Sequence, residues 1–464
     1  MSVLRVGTRL LGVATTLAVA RLISPEEYGV FATILIAYQG LGMITDLSVS
    51  AAIIQMHQDP KRYLNTAWTL DVVRGLLLAV LMFLGASTWC DLFRVPQATP
   101  MLQALALVPL INAFHSVGPN ILRRELRFGR IFILHATEAV TYSVIVVLAA
   151  LLLHNAWALV LASISAFTAR VIASHLLSPV RARIGFEYRL FLEMFRFSRW
   201  TNAHYFADFV IESADNAIVA AIVGTTALAF YRMGYQVAIE GATAFHWVVT
   251  TVAFSVFSRI QFDSRRVREG LRAMLGAMAT GLLPATLLLI VLGPIAIPLV
   301  LGERWARAAE PLQLLAAAAF VRSILETARP VLLGLGRSGA DLALKVVQGI
   351  LMVGLAVPAA VVFGIQGVAV AVLIAATATL PCWWIALRKS TEITAGDLVG
   401  SLTAPVLAAG ASLAVLAVMP APQPTWGHLL GYSAVFTLSY GGVTILLSRL
   451  LPRSGFALAV RELR

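Results

Sequence analysis

Apolar residues in this chain come in runs of about twenty, the length that crosses a bilayer as helix, and short polar turns separate them. Six runs cover 3–22, 28–50, 64–89, 99–122, 131–153 and 156–178; six more cover 199–223, 226–257, 271–300, 309–335, 340–363 and 366–387. Two further runs cover 397–419 and 428–449. The pattern predicts an all-α polytopic membrane protein of about 14 transmembrane helices: two pseudo-repeated six-helix lobes plus two C-terminal helices. In domain terms this gives an N-terminal lobe at 1–180, a cytoplasmic linker at 181–198, a C-terminal lobe at 199–390, and accessory helices with a tail at 391–464. No connection is long enough to fold a catalytic domain of its own.

The halves echo each other in sequence. Residues 98–130 lie over 309–340 so that Pro100 meets Pro311 and Pro119 meets Pro330. A weaker match sets Ala18–Phe31 over Ile218–Tyr231. Like halves in a membrane chain predict two lobes with a site between them. The proline pairs predict bends in the fourth and tenth helices, or kinks that only improve packing.

Composition agrees: 59% apolar residues, 12% charged and a mean hydropathy of +0.85 lie far from soluble averages. The net charge of +12 reads as topology, with no nucleic-acid partner, because its distribution between loops is uneven. Most of the 35 basic residues lie in loops on the side of the N-terminus, and the opposite loops hold just Arg21, Arg94, Arg304 and Arg307. Both termini are therefore expected in the cytoplasm, and the Ala18-Val19-Ala20 stretch is read as part of a first span instead of a signal-peptide cleavage site. Cys90 and Cys382 stand in different halves and imply no disulfide framework.

Motifs for chemistry fail on context. Gly334 to Gly339 matches G-x-G-x-x-G but follows an apolar helix where a strand is required. The eight histidines show no paired metal-ligand spacing, so no metal, no cofactor and no enzyme activity are expected. Between the lobes, Arg181 to Arg199 interleaves Phe191, Leu192 and Phe195 with Arg189, Glu193 and Arg196. That pattern fits an interfacial amphipathic helix or a plain connector.

The candidate site lies among charges placed where charge is expensive. Asp208, Glu212 and Asp215 share one face of the seventh helix at i, i+4 and i+7, and Arg322, Glu326 and Arg329 do the same on the tenth. Asp71 with Arg74 and Asp341 with Lys345 recur as shorter pairs. Two readings stand open: these stripes neutralise one another and lock helices together, or they line a hydrated cavity. All basic residues but Lys61, Lys345 and Lys389 are arginine, whose planar fork suits phosphate oxygens. At the repeat offset, Arg322, Glu326 and Arg329 fall on Ile111, His115 and Gly118, which predicts a lopsided site built on the second copy.

Ala20 to Gln55, with its Ser-Pro-Glu-Glu-Tyr-Gly turn at 24–29, resembles the opening of Wzx-type lipid-linked oligosaccharide flippases. These belong to the polysaccharide transport branch of the multidrug/oligosaccharidyl-lipid/polysaccharide (MOP) exporters. Asn65 to Trp68, Val252 to Gln261 and Arg329 to Gly336 carry the likeness further. It implies a flippase of the bacterial inner membrane that moves polyprenyl-diphosphate-linked oligosaccharide by alternating access for O-antigen, capsule or exopolysaccharide synthesis. Its partners would be that substrate, membrane lipids and the polysaccharide polymerase or export machinery. Arg9, Arg74, Arg232, Arg322, Arg329 and Lys345 would bind substrate. Asp208, Glu212, Asp215 and Glu326 would couple transport to protons or sodium. Family members carry more residues ahead of the first helix, which would let Arg9 face the cavity, and often a basic residue where this chain has Asn216. The alternatives are a drug or cation antiporter of the same superfamily and a non-transporting component of a polysaccharide assembly system.

Overall fold

The computed structural model describes residues 2–45, 60–178, 180, 182–239, 257, 263–335, 337–391 and 393–450. The ends of the second and eighth expected spans, most of the Val252–Gln261 motif, Arg181 and the tail beyond Leu450 lie outside them. The described residues are helical almost throughout and contain no strand. By contacts the chain separates into two compact units, Met1–Ala229 and Phe230–Arg464.

The first unit holds α1 (Ser2–Leu22), α2 (Pro25–Ile44) and α3 (Leu64–Leu92). It continues through three short helices, α4 (Thr99–Leu105), α5 (Leu107–Ala113) and α6 (Gly118–Arg124), to α7 (Phe128–Leu153), α8 (Trp157–Leu177) and α9 (Tyr188–Ile218). A further helix, α10 (225–239), runs across the boundary between the units. The second unit contains α11 (Ser264–Leu301), α12 (Ala309–Gly334), α13 (Ser338–Thr391), α14 (Ala395–Val418) and α15 (Trp426–Leu450). Nine helical stretches among the described residues are long and apolar enough to cross a membrane, and the bent α4–α6 segment makes a tenth. This is a multi-pass membrane protein.

Why these helices suit a bilayer is visible on α3. Leu78, Met82, Ala86 and Cys90, one turn apart, are buried against the protein. Leu76, Leu77, Leu81, Phe83 and Leu84, equally apolar, are exposed. A helix apolar on both faces belongs in lipid, where the outer face has hydrocarbon as its solvent.

The turn motif of the sequence is a helix cap. Ser24 accepts a hydrogen bond from the Glu27 amide at 3.3 Å, and Pro25 occupies the first helical turn, where its missing N–H costs nothing. Glu27 Oε2 in turn accepts from the Ala156 amide at 2.7 Å, just before α8. The expected break between the eleventh and twelfth spans is Gly364, at φ 60° and ψ −141° inside α13, a conformation that favours glycine.

The two copies of the proline repeat differ. The fourth span bends by 58° between α5 and α6, and residues 114–117 leave the helix there. α12 instead runs on through Pro330. In the break, the Ser116 amide donates to Ser174 Oγ at 3.0 Å, the Gly118 amide donates to Ser116 Oγ at 3.1 Å, and His175 Nε2 bonds the Phe114 carbonyl at 2.8 Å. Side chains of α8 thus satisfy backbone that a membrane helix would otherwise satisfy itself.

The segment before the seventh span keeps both sequence characters. Leu190 and Met194 are buried with Tyr63, Leu64, Ala67 and Val117, while Ile184, Phe186, Tyr188 and Phe195 are exposed. Phe191 packs with Phe186, Tyr188 and Phe195 at ring separations of about 6 Å. Tyr63 donates to Glu193 Oε2 at 2.8 Å. Burial, reinforced by that bond, raises the Tyr63 phenol above its ordinary pKa.

Candidate functional site

In the second unit, helical spacing puts Arg322, Glu326 and Arg329 on successive turns of α12. Arg322 Nη1 donates to the Tyr235 hydroxyl at 3.4 Å. Arg329 reaches two carboxylates, Glu326 Oε2 at 3.7 Å and Asp341 Oδ2 at 3.5 Å. Asp341, Lys345 and Gln348 follow at i, i+4 and i+7 on α13 with relative exposures of 0%, 2% and 8%. The apolar frame around them includes Leu325, Val331, Leu332, Leu344 and Trp383. Arg232 on α10 is half-buried. Among the described residues, Arg322 and Arg329 on α12 and Lys345 on α13 thus share these two helices with Glu326 and Asp341.

The acidic stripe of α9, in the first unit, is graded. Asp215 is buried, and its Oδ1 accepts from the Asn216 amide at 2.7 Å and from Asn216 Nδ2 at 3.0 Å. Asp208 is half-buried and Glu212 exposed. Asn216, where relatives were expected to carry a base, is thus a hydrogen-bond partner of the buried carboxylate.

Arg9 is exposed on α1. Arg74, half-buried on α3, donates to the Gly42 carbonyl at 2.6 Å and to Thr45 Oγ1 at 3.3 Å. It thereby caps the C-terminal end of α2, where the helix dipole favours a cation. It also lines a cavity of about 210 Å³ within the first unit, together with Asp71, Asn112, His115, Arg123 and Arg170. Arg170 Nη1 lies 3.3 Å from Glu138 Oε1 across the α7–α8 hairpin.

The residue selection made from sequence left out Arg170, Arg123 and His115. One signal was available: Glu138 and Arg170 stand equally far before and after His154 in the α7–α8 turn, and in an antiparallel hairpin such residues face each other. Among the described residues there is no cluster of three His, Cys, Asp or Glu side chains able to hold a metal.

A family profile described as Polysaccharide biosynthesis protein matches residues 18–310, more than half of the chain. The chain belongs to that family. Among curated relatives it is similar to the lipopolysaccharide biosynthesis protein WzxC of Escherichia coli K12, at 23% identity over 68% of this chain and 64% of that protein. Similar too are the teichuronic acid biosynthesis protein TuaB of Bacillus subtilis 168, at 25% over 69% and 67%, and the succinoglycan biosynthesis transport protein ExoT of Rhizobium meliloti 1021, at 26% over 72% and 67%. The matched stretch thus spans about two thirds of these relatives' own length. In fold the chain is similar to the lipid II flippase MurJ, with a TM-score of 0.76 at 14% identity over 97% of this chain and 99% of that one. An inward-facing multidrug resistance MATE transporter of the MOP superfamily matches with a TM-score of 0.66 at 15% identity over 84% and 96%. The fold is that of MOP-type transporters.

Proposed function

We propose that this protein is a flippase that carries polyprenyl-diphosphate-linked oligosaccharide across the bacterial inner membrane by alternating access, for surface polysaccharide synthesis. The observation that carries this reading is the set of three cations, Arg322, Arg329 and Lys345, that α12 and α13 hold with Glu326 and Asp341 among buried apolar side chains, and we assign Arg232 to the same set from its place in the sequence. Charge in that setting is costly, and an anionic cargo adds attraction to the guanidinium groups. Guanidinium forks suit diphosphate oxygens, while the polyprenyl tail stays in lipid. A cation antiporter needs the opposite balance. No bond of the cargo is made or broken, so the protein acts as a transporter and not as an enzyme.

Both termini face the cytoplasm in this reading, and the acidic side chains Asp208, Glu212, Asp215 and Glu326 take up the coupling ion, a proton or sodium. The names of WzxC, TuaB and ExoT, each tied to polysaccharide synthesis or its transport, support the cargo class. The test is a deletion strain: lipid-linked oligosaccharide accumulates on the cytoplasmic face, wild type rescues export, and Arg322→Ala or Arg329→Ala rescues poorly. Normal glycan export in the deletion strain, with no redundant transporter, overturns the flippase reading. Full rescue by both variants removes these residues from the site.

A further inference from the structure

The cavity of the first unit carries features that the flippase reading does not use. Three arginines from three separate elements line it: Arg74 from α3, Arg123 at the exposed end of α6, and Arg170 from α8. The break between α5 and α6 forms another wall. Irregular backbone at membrane depth is tolerated where it is packed in protein or lines a polar cavity, and discontinuous helices build ion and anion sites in transporters.

Three atoms of the lining side chains, Asn112 Oδ1, His115 Nε2 and Arg170 Nε, are buried with no hydrogen-bond partner in the protein. Buried polar atoms are nearly always paired, so their convergence on one cavity marks a place for a polar ligand. The volume of about 210 Å³ is several times the roughly 30 Å³ of a water molecule.

The donor set fixes the chemistry. Arginine forks match phosphate oxygens, so the ligand bears anionic oxygens. Asn112 Oδ1 can only accept and has no partner in the protein, so a ligand that also donates a proton completes the lining. Inorganic hydrogen phosphate, which keeps a proton at neutral pH, meets both demands, and a phosphomonoester meets them when it binds as its monoanion. Sulfate has no such proton at neutral pH.

We propose that the first unit holds its own hydrogen-phosphate site in this cavity, bound by Arg74, Arg123 and Arg170 with Asn112 and His115 as uncharged partners. The site lies within one unit and stands independently of the export reading, so failure of the deletion assay leaves it intact.

The test is equilibrium dialysis of the purified full-length protein in detergent against radiolabelled inorganic phosphate. We expect saturable phosphate binding, weakened at least tenfold by His115→Gln and by Arg170→Gln and unchanged by Arg265→Gln on the exposed face of α11. Sulfate should compete at least tenfold more weakly than phosphate. Farnesyl monophosphate distinguishes the sources: tighter binding than inorganic phosphate, lost in His115→Gln, assigns a lipid-borne monoester, and weaker binding assigns the free ion. His115→Gln breaks no ion pair, and its helical unfolding temperature by circular dichroism shows that a loss of binding is not a loss of fold. Absence of saturable binding by either phosphate probe, binding unchanged in both variants, or equal competition by sulfate overturns the proposal.

Discussion

Asp341→Asn tests whether the buried charges of the second unit lock helices together. Asp341 is fully buried, and its Oδ2 lies 3.5 Å from Arg329 Nε. At an effective dielectric constant of about 20, that separation corresponds to a gross attraction of roughly 5 kcal/mol. Desolvation offsets much of it, and removing one partner of a buried pair costs about 3–5 kcal/mol. Arg329 is 29% exposed and has Glu326 at 3.7 Å as a second carboxylate, so the cost should fall near the lower end, about 3 kcal/mol. Arg329→Gln should cost a similar amount, because it leaves the Asp341 carboxylate buried beside Lys345. The double variant should then cost about 1–3 kcal/mol less than the sum of the single losses, the coupling expected of groups in contact. Unfolding by SDS in mixed micelles, followed by far-UV circular dichroism, gives all three values. Additivity within about 0.5 kcal/mol would refute the ion pair as a lock between α12 and α13.

Other consequences can be checked separately. Arg322→Lys keeps the positive charge near the Tyr235 hydroxyl but loses the planar fork that suits phosphate oxygens, so it should lower export far more than it lowers stability in the same SDS titration. At Gly75 a Cβ would collide with Ala113 and come within 2.6 Å of the Pro109 carbonyl oxygen; Gly75→Ala gains about 1 kcal/mol of helix propensity but should lose about 1–2 kcal/mol net to overpacking, seen as a lower unfolding temperature. Asp397 accepts from Arg268 at 2.6 and 2.7 Å and closes a capping box with Thr394, so Asp397→Asn should cost about 2 kcal/mol and speed proteolysis near the start of α14. A nitroxide on Phe195→Cys should report headgroup depth in power-saturation measurements, and a bulk-water value would make the segment before α9 a plain connector.

Local rules were the part of this fold legible in the sequence. The turn at Ser24, the break between residues 363 and 366 and the spacing of Arg322, Glu326 and Arg329 each rest on residues a few positions apart, and each is found where the pattern put it, the turn as a helix cap. The first-unit cavity was not legible, because its walls come from residues more than a hundred positions apart, such as Tyr38 and Arg170. To Arg74, read in the sequence together with Asp71, the structure adds hydrogen bonds to a backbone carbonyl and a threonine at the end of α2. Periodicity carries no signal for such acceptors.

The same limit explains why the repeat suggested a site built on the second copy alone. Laying Ile111, His115 and Gly118 against Arg322, Glu326 and Arg329 compares side chains at fixed positions, and on that comparison the first copy looks depleted. The first copy places its polarity differently. Its helix opens at 114–117, Ser174 and His175 of α8 bond to the freed backbone, and Arg74 and Arg170 arrive from neighbouring helices. In the second copy α12 stays continuous and carries the charges itself. Each half therefore holds cations in its interior, one through a broken helix with arginines from its neighbours and one through an intact helix with its own. A duplicated chain that keeps polar interiors by two constructions can use them for two ligands, and a His115→Gln variant that loses phosphate binding while it still rescues glycan export is the measurable form of that division.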